Sequence, residues 1–424
     1  MITTDIPTNL SFSEMSERTE SPVIIDLMTR ALTIPNLLSL AAGFTSNEIL
    51  PVEQVTQALE TIKAEAANKE YLQYGTNQGR PKLRKAILDI IAAHPGEQPE
   101  SWDPNHLVIS NGSQQTLYIA MQALCNPGDI IFVEEPSYFV YLELLRGLGI
   151  QAISIPTLGH NQIDFEAFDA LIQELDYKGQ ADRIKATYLV SYFSNPSSGC
   201  LSAEDKAQLG VLFKKHKLPT AIIEDAAYRD LYYEAPHPAP SILSVPELEG
   251  IACLYLGTFT KPFSCGMKTG FGYCTDAQWL QNILNIKGHH DFGSSNFNQA
   301  LIEAVLLDGQ YEPHLKTQRA FYAKKAALLQ KTFTDEGLVN LGWHWDTPKG
   351  GLFLWLIAPE HIDLSIGSDF YEACLQNGVL YVPGDLCIAE RSPKNCTRIS
   401  FGTLNDEGLI EAGKRFVKVA KQFS

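Results

Sequence analysis

The feature that most constrains the fold is an alternation of short apolar segments with amphipathic ones between residues 107 and 257. The longer segments carry apolar residues at helical spacing, whereas the short ones have the length and composition of buried strands. Such alternation predicts a mainly parallel sheet that helices cover on both faces. We expect strands at 107–110, 130–133, 150–155, 186–192, 220–224 and 251–257, and helices at 114–124, 138–148, 164–175 and 203–216.

The chain on either side of this alternation follows other patterns. Residues 1–22 are polar and should form an arm with weak structure of its own, and a strand is expected at 37–43. The end of the chain mixes helices with strands, so we expect an α/β body followed by a smaller α+β region, with a boundary near 300–335. The further expected elements are helices at 22–32, 52–68, 83–93, 368–377 and 406–421, one or two long helices within 298–333, and strands at 343–345, 352–356 and 397–401.

Charge and cysteine content exclude several classes of partner. The 424 residues include 33 Lys and Arg against 49 Asp and Glu, a net charge of −16, which opposes binding to nucleic acid or to an anionic membrane. Small anionic substrates remain compatible, because a few cationic side chains can build a local pocket. The eight cysteines form no C-x-x-C pair, and no apolar run is long enough to span a membrane. We therefore expect a reduced, cytoplasmic protein.

No metal site is expected. The adjacent His289 and His290 would point in different directions on a strand or a helix, and they have no cysteine or carboxylate partner at zinc-like spacing. We interpret them as a pair in a loop, and that loop, 288–295, could border the functional site.

Polar side chains follow several of the expected strands at the point where each strand ends. Lys261 comes after Gly257-Thr258-Phe259-Thr260, Asp225 and Tyr228 follow the strand at 220–224, and Asn195 follows the strand before it. The turn Asn111-Gly112-Ser113-Gln114 joins a strand to a helix, and its free backbone N–H groups suit a phosphate. Because ligands of open α/β sheets bind at the carboxyl ends of strands, these loops are expected to share one crevice.

With these motifs the chain resembles the fold-type I aminotransferases of class I/II, which depend on pyridoxal 5′-phosphate (PLP). The resemblance runs from about Leu40 to Phe416, and within the family it is greatest to the 2-aminoadipate/kynurenine aminotransferase branch. The motifs that carry it are Gly79-x-x-x-Leu83-Arg84, Asn126-Pro127-Gly128-Asp129, Glu135-Pro136-Ser137-Tyr138, Asn195-Pro196, Asp225-x-x-Tyr228, Thr258-x-Thr260-Lys261 and Arg398.

This resemblance implies an enzyme that moves an amino group between an α-amino acid and a 2-oxo acid, working as a homodimer with composite active sites. It also implies a domain division. Residues 1–50 would form an N-terminal arm and part of the small domain, 51–315 the large PLP-binding domain, and 316–424 the C-terminal small domain.

The resemblance assigns a role to each candidate catalytic residue. Lys261 would bind the cofactor covalently and then move the Cα proton of the substrate. Asp225 would keep the pyridine nitrogen protonated, which makes the ring an electron sink. Asn195 and Tyr228 would hydrogen-bond the oxygen on the ring.

The resemblance also assigns binding roles around that centre. Arg398 would grip the substrate α-carboxylate, with Gly43 and Asn195 on the substrate side. Tyr138 would stack on the ring, and Tyr74 would reach across a dimer to the neighbouring phosphate. The residues expected to hold the phosphate within the chain are Ser113, Gln114, Thr258, Thr260 and Lys268.

Two positions depart from the family pattern. Lys268 stands where the family commonly has arginine, so a planar fork is replaced by a point charge. The loop Asn195-Pro196-Ser197-Ser198-Gly199 is one residue longer than the usual Asn-Pro-x-Gly, which puts its course in doubt. Two alternative functions stay open: a PLP-dependent C–S lyase or decarboxylase, and a non-catalytic, PLP-sensing regulatory module.

Overall fold

The computed structural model describes residues 10–65, 69–159 and 162–424. Short 3₁₀ turns aside, the helices in these residues are α1 Glu14–Arg18, α2 Val23–Thr33, α3 Val52–Glu65, α4 Pro81–Ala92, α5 Ser113–Leu124, α6 Phe139–Leu148, α7 Phe165–Tyr177, α8 Ala203–His216, α9 Ala277–His290, α10 Asn296–Leu307, α11 Tyr311–Asp335, α12 Asp369–Gln376 and α13 Asp406–Ala420. The strands are β1 Leu38–Ser39, β2 Leu107–Ser110, β3 Ile130–Val133, β4 Gln151–Ser154, β5 Ile184–Leu189, β6 Ala221–Asp225, β7 Cys253–Thr258, β8 Gly270–Cys274, β9 Phe353–Ile357, β10 Val379–Leu380, β11 Val382–Pro383 and β12 Cys396–Ser400.

A seven-stranded sheet in the order β2-β8-β7-β6-β5-β3-β4 forms the centre of the protein. Its pairs are parallel except that β8 runs antiparallel to both β2 and β7. Successive strand residues pack to opposite sides. Ile131 and Val133 lie in a cluster with α5, α6 and α9, whereas Ile130 and Phe132 lie in one with α7 and α8. The sheet is therefore covered on both faces, which confirms the predicted fold class.

Strand β8 brings the carboxyl ends of β2 and β7 to the same edge of the sheet. Gly270 pairs with Ser110 on one side and with Thr258 on the other. A Cβ at Gly270 would lie 2.5 Å from the backbone of both Gly112 and Ser113, so only glycine lets the turn after β2 pack onto β8. This close approach places the start of α5 beside the end of β7.

The C-terminal part of the chain builds a smaller sheet. Strands β11, β12 and β9 pair antiparallel in that order, and β10 pairs in parallel with β1 from the N-terminal segment. Long helix α11 packs against α13, with Trp343, Phe370 and Phe416 among the aromatic rings in the core between these elements. The division at 50 and 315 stays a prediction, with the large sheet inside 107–274 and the small one inside 353–400.

Several local expectations were wrong. The strand expected at 37–43 is only β1, because the carbonyl groups of Ala41 and Gly43 accept hydrogen bonds from side chains instead of a neighbouring strand. The strand expected at 343–345 is a single bridge between His344 and Ile357. The polar arm contains helix α1, whose first turn Ser13 caps.

Other elements were missing from the expectations. Strands β8, β10 and β11 and helix α9 were not predicted, and His289 and His290 lie in the last turn of α9 and not in a loop. Residues 1–9 of the expected arm and 66–68 of the expected helix at 52–68 lie outside the described residues. Among the described residues, no helix combines the length and apolar character needed to cross a membrane.

Candidate active site

The loops that follow β2, β5, β6 and β7 meet around one cavity of about 140 Å³. It lies at the carboxyl edge of the large sheet, where the strand polarity predicts a ligand site. Of the residues expected there, those that line it are Ser113, Gln114, Tyr138, Asn195, Asp225, Tyr228, Thr258, Thr260, Lys261 and Lys268. Asn111, Gly112, Tyr188, Val190 and Ala227 complete the lining.

Lys261 lies in the turn after β7 and points its amine across the cavity. Its Nζ donates a hydrogen bond to the carbonyl oxygen of Gly43 at 2.7 Å. Burial, followed by the neighbouring positive charge of Arg398, lowers the pKa of this amine to about 8. A substantial neutral fraction is therefore present near physiological pH, and the neutral amine is the form that attacks a carbonyl carbon.

Asp225 is the last residue of β6 and lies beside the lysine turn. Its Oδ2 accepts a hydrogen bond from the Tyr188 hydroxyl and its Oδ1 one from the Ala227 N–H, each at 3.0 Å. Burial raises the pKa of the carboxyl to about 6. Within the described ranges no cation pairs with Asp225, so a protonated ring nitrogen in the cavity would supply the missing charge.

The N-terminus of α5 forms the opposite end of the cavity. Its N-cap residue is Gly112, at φ 76°, which has no side chain to occupy the first N–H groups of the helix. The Thr258 and Thr260 hydroxyls lie 2.9 Å apart beside it, and the exposed Lys268 adds a positive charge. Free N–H groups, hydroxyls and a cation together make an anion site.

Arg398 belongs to β12 and reaches the same region from the small sheet. Its two terminal nitrogens donate to the Asn195 side-chain oxygen at 2.9 Å and to the Ala41 carbonyl oxygen at 2.5 Å. The guanidinium carbon lies 4.4 Å from the centre of the Phe353 ring. In the part of the chain that the structure describes, this buried cation has no carboxylate partner and its Nε has no hydrogen bond. A carboxylate ligand would supply the missing negative charge beside the Arg398 guanidinium.

Gly43 leaves room for the Phe353 ring and the Arg398 guanidinium, which stack on each other. A Cβ at this position would lie 3.3 Å from the Phe353 ring and 3.9 Å from the Arg398 guanidinium.

Tyr74 lies elsewhere. Its side chain is 80% exposed and packs edge to face on Phe292, so it is not part of the cavity formed by its own chain.

Sequence reasoning missed Tyr188 and Phe353. Tyr188 is fully buried in β5 and orients Asp225, and Phe353 stacks on Arg398. Tyr188 could have been found from the sequence, because a tyrosine inside an apolar strand has a buried hydroxyl that requires a hydrogen-bond partner. Nothing in the sequence distinguishes Phe353 from an ordinary core residue.

The sequence profile described as Aminotransferase class I and II matches residues 35–416. The chain belongs to this family. It is 28% identical over 412 residues to Aromatic-amino-acid aminotransferase 1 of Thermococcus litoralis, which covers 97% of this chain and 94% of that protein. It is 26% identical to the 2-aminoadipate transaminase of Thermus thermophilus, covering 97% and 96%.

Similarity of structure agrees with similarity of sequence. The crystal structure of Pyrococcus horikoshii kynurenine aminotransferase, in complex with PMP, superposes with a TM-score of 0.87 and 27% identity over 97% of both chains. The predicted branch, the PLP cofactor and the reaction are thereby confirmed. The chain is thus an aminotransferase, which moves amino groups between amino acids and 2-oxo acids. The similarities support this function over the lyase, decarboxylase and regulatory alternatives.

The cavity fits PLP on its own geometry. Buried Asp225 lacks a cation, the start of α5 offers an anion site for the phosphate, and Lys261 presents an amine of lowered pKa. When bound, PLP supplies an electron sink for the charge that develops at the substrate Cα.

We predict that the ionised Asp225 carboxylate lowers the free energy of unfolding of the cofactor-free protein. Its folded pKa of about 6 lies above the unfolded value of about 3.9, so the folded state binds more protons between these pH values. The free energy of unfolding should therefore fall as pH rises through this range. At pH 8, Asp225→Asn should raise it by up to about 3 kcal/mol, and near pH 4 the difference should vanish.

Urea unfolding of the two apoproteins at pH 4, 6 and 8 measures this difference. Asp276→Asn removes a carboxylate that caps α9 and does not line the cavity, and it is the matched control. A constant difference between Asp225→Asn and the parent protein would show that the Asp225 carboxyl has an ordinary pKa.

Proposed function

We propose that transamination takes place in this cavity, with Lys261, Asp225, Asn195 and Tyr228 as the catalytic side chains. The observation that carries the proposal is the meeting of Lys261 and Asp225, from the ends of adjacent strands, in one buried cavity. Burial moves the pKa of each towards neutral, down to about 8 for the amine and up to about 6 for the carboxyl. An amine of lowered pKa can move the proton at a substrate Cα, and a buried carboxylate beside it can hold a protonated ring nitrogen.

The surrounding residues divide into those that hold the cofactor and those that hold the substrate. Asn195 serves both, because its side-chain oxygen accepts from Arg398 while the same side chain also hydrogen-bonds Tyr228, which lines the cavity. Tyr228 and Tyr138 line the cavity beside it, as a hydrogen-bond donor and a stacking surface. We assign the phosphate to Ser113, Gln114, Thr258, Thr260 and Lys268, which surround the start of α5.

Arg398 and Gly43 define the substrate end. Among the residues that the structure describes, the guanidinium has only neutral acceptors, so an α-carboxylate can displace one of them and pair with the charge. Similarity to aromatic, 2-aminoadipate and kynurenine aminotransferases supports these amino acids as the first to assay.

We also propose a cytoplasmic homodimer in which Tyr74 completes the partner's phosphate site. Tyr74 and Phe292 form an exposed aromatic pair, 80% and 70% accessible, next to a polar loop. Exposed rings of this size are enriched at protein interfaces. The eight free thiols fit a reducing compartment.

The first prediction from this assignment is that PLP attaches to Lys261. Borohydride reduction followed by peptide mapping should place the pyridoxyl group on Lys261, because its amine is the one in the cavity with a lowered pKa. Lys261→Ala should bind PLP without retaining it after reduction and denaturation. Lys268 lines the same cavity and is the internal control, and a label there would overturn the assignment.

The second prediction separates substrate binding from chemistry at Arg398. Arg398→Lys keeps a positive charge but loses a hydrogen bond to a charged group, so kcat/KM for amino acids should fall about 10- to 150-fold. The fall should be similar for different amino acids and much smaller for amines that lack the α-carboxylate. Steady-state assays with matched amine and amino-acid pairs test it, and an equal loss for both classes would make Arg398 structural.

The third prediction concerns Tyr74. Tyr74→Ala and Lys261→Ala proteins should each have low activity at limiting PLP, and mixing them after reversible dissociation should restore activity. Hybrid dimers then contain one site with Lys261 from one subunit and Tyr74 from the other. A mixture that stays as inactive as its components would show that Tyr74 does not act on a partner's site.

A further inference from the structure

The segment after α9 places one carboxylate beside the turn that begins α5. Asp291, the C-cap residue of α9, accepts hydrogen bonds from five groups. The donors are Asn111 Nδ2 at 3.3 Å, Gln115 Nε2 at 2.9 Å, Lys287 Nζ at 3.0 Å, the Gly293 N–H at 2.9 Å and Ser294 Oγ at 3.1 Å. Asp291 therefore ties α9 and the following loop to both sides of the turn at Gly112.

Gln115 makes this connection rigid. Its side-chain oxygen accepts the backbone N–H of Asn111 at 2.8 Å while its NH₂ group donates to Asp291. Gln115 lies in the first turn of α5, and Gly112 offers no side-chain cap. The conformation of the turn thus depends on a tertiary contact, through Gln115 and Asn111, with Asp291.

Lys287 cancels the charge of this carboxylate. Its ammonium lies 3.0 and 3.1 Å from the two Asp291 oxygens, and its side chain is only 1% exposed. An unpaired carboxylate this close to an anion site would repel the anion, whereas a buried ion pair is neutral at a distance. Asp291 can therefore orient the turn without opposing a bound phosphate.

We propose that Asp291 is a positioning residue, holding the turn at 111–113 in the conformation that binds the cofactor phosphate, and that Lys287 shields this phosphate from its charge. The inference rests on the proposed placement of the phosphate at the start of α5. It adds to that placement a network outside the cavity lining, since neither Asp291 nor Lys287 lines the cavity.

The test compares the affinity for PLP with that for pyridoxal, which has the aldehyde and the ring but no phosphate. Asp291→Asn should raise the dissociation constant for PLP about 10-fold or more and change that for pyridoxal less than about 2-fold. Absorbance titration of the apoprotein measures both constants without any assay of activity.

Lys287→Met should weaken PLP binding more than Asp291→Asn does, because it leaves an unpaired negative charge near the phosphate. Adding Asp291→Asn to Lys287→Met should recover part of that loss. A role in folding alone predicts the opposite, that the double variant binds PLP more weakly than either single variant.

Two further variants keep the test decisive. Asp276→Asn changes the cap at the other end of α9, where the carboxylate accepts a hydrogen bond from the Trp279 N–H at 2.7 Å. This variant should leave the ratio of the affinity for PLP to the affinity for pyridoxal unchanged. If Asp291→Asn does not fold, Gln115→Leu removes the hydrogen bond between Gln115 and Asp291 from the α5 side. It should lower the ratio of the affinity for PLP to the affinity for pyridoxal in the same way.

The outcomes distinguish this inference from the proposed function. Equal affinity of the parent protein for PLP and pyridoxal would overturn the placement of the phosphate itself. A parent protein that prefers PLP, with Asp291→Asn and Gln115→Leu keeping the full preference, would overturn the role of Asp291 alone.

Discussion

The common direction of β2, β5, β6 and β7 is the constraint on which the site depends. Because these strands all end at one edge, the turn after β2, Asn195, Asp225 and Lys261 converge although they are far apart in sequence. Antiparallel β8 pairs with both β2 and β7 and so gives these two strands the same direction. The first residue of β8, Gly270, has to be glycine for the turn after β2 to pack against it. The anion site and the amine are thus fixed relative to each other by backbone packing before any ligand binds.

Two adjacent carboxylates on β6 point to opposite sides of the sheet, so that one forms a buried ion pair and the other lines the cavity. Glu224 forms a pair with Lys206 at 2.7 Å, and neither side chain is exposed to solvent. Asp225, the next residue, lines the cavity, and its hydrogen-bond donors in the described part of the chain are neutral. A buried charge without a partner destabilises the fold, so its presence marks the place where a ligand supplies the missing charge. Arg398, which Asn195 and Ala41 hold as neutral acceptors, is the corresponding cation at the proposed substrate end.

The sequence predicted the sheet and most of the residues that line the cavity, because both depend on local patterns. Apolar runs place the strands, and the polar residue after each run then falls at the sheet edge without further information. Strand β8 escaped this reasoning because Gly270-Phe271-Gly272-Tyr273-Cys274 resembles a turn until the close contacts of its glycines are known. Tyr188, Phe353 and Asp291 act through tertiary contacts with partners distant in sequence, which no spacing rule contains.

The two departures from the family pattern leave this geometry intact for separate physical reasons. Lys268 lines the cavity near the proposed phosphate site, where a point charge on a flexible stem can still reach an anion. The longer loop after Asn195 places Ser198 at φ 58° and directs its hydroxyl to the Phe353 carbonyl oxygen at 2.8 Å. The additional length is thereby used in a contact with β9, the strand that carries the ring stacked on Arg398. Asn195 keeps its bond to Arg398, so in the proposed assignment one amide connects the side chain that binds the substrate carboxylate with the cofactor ring.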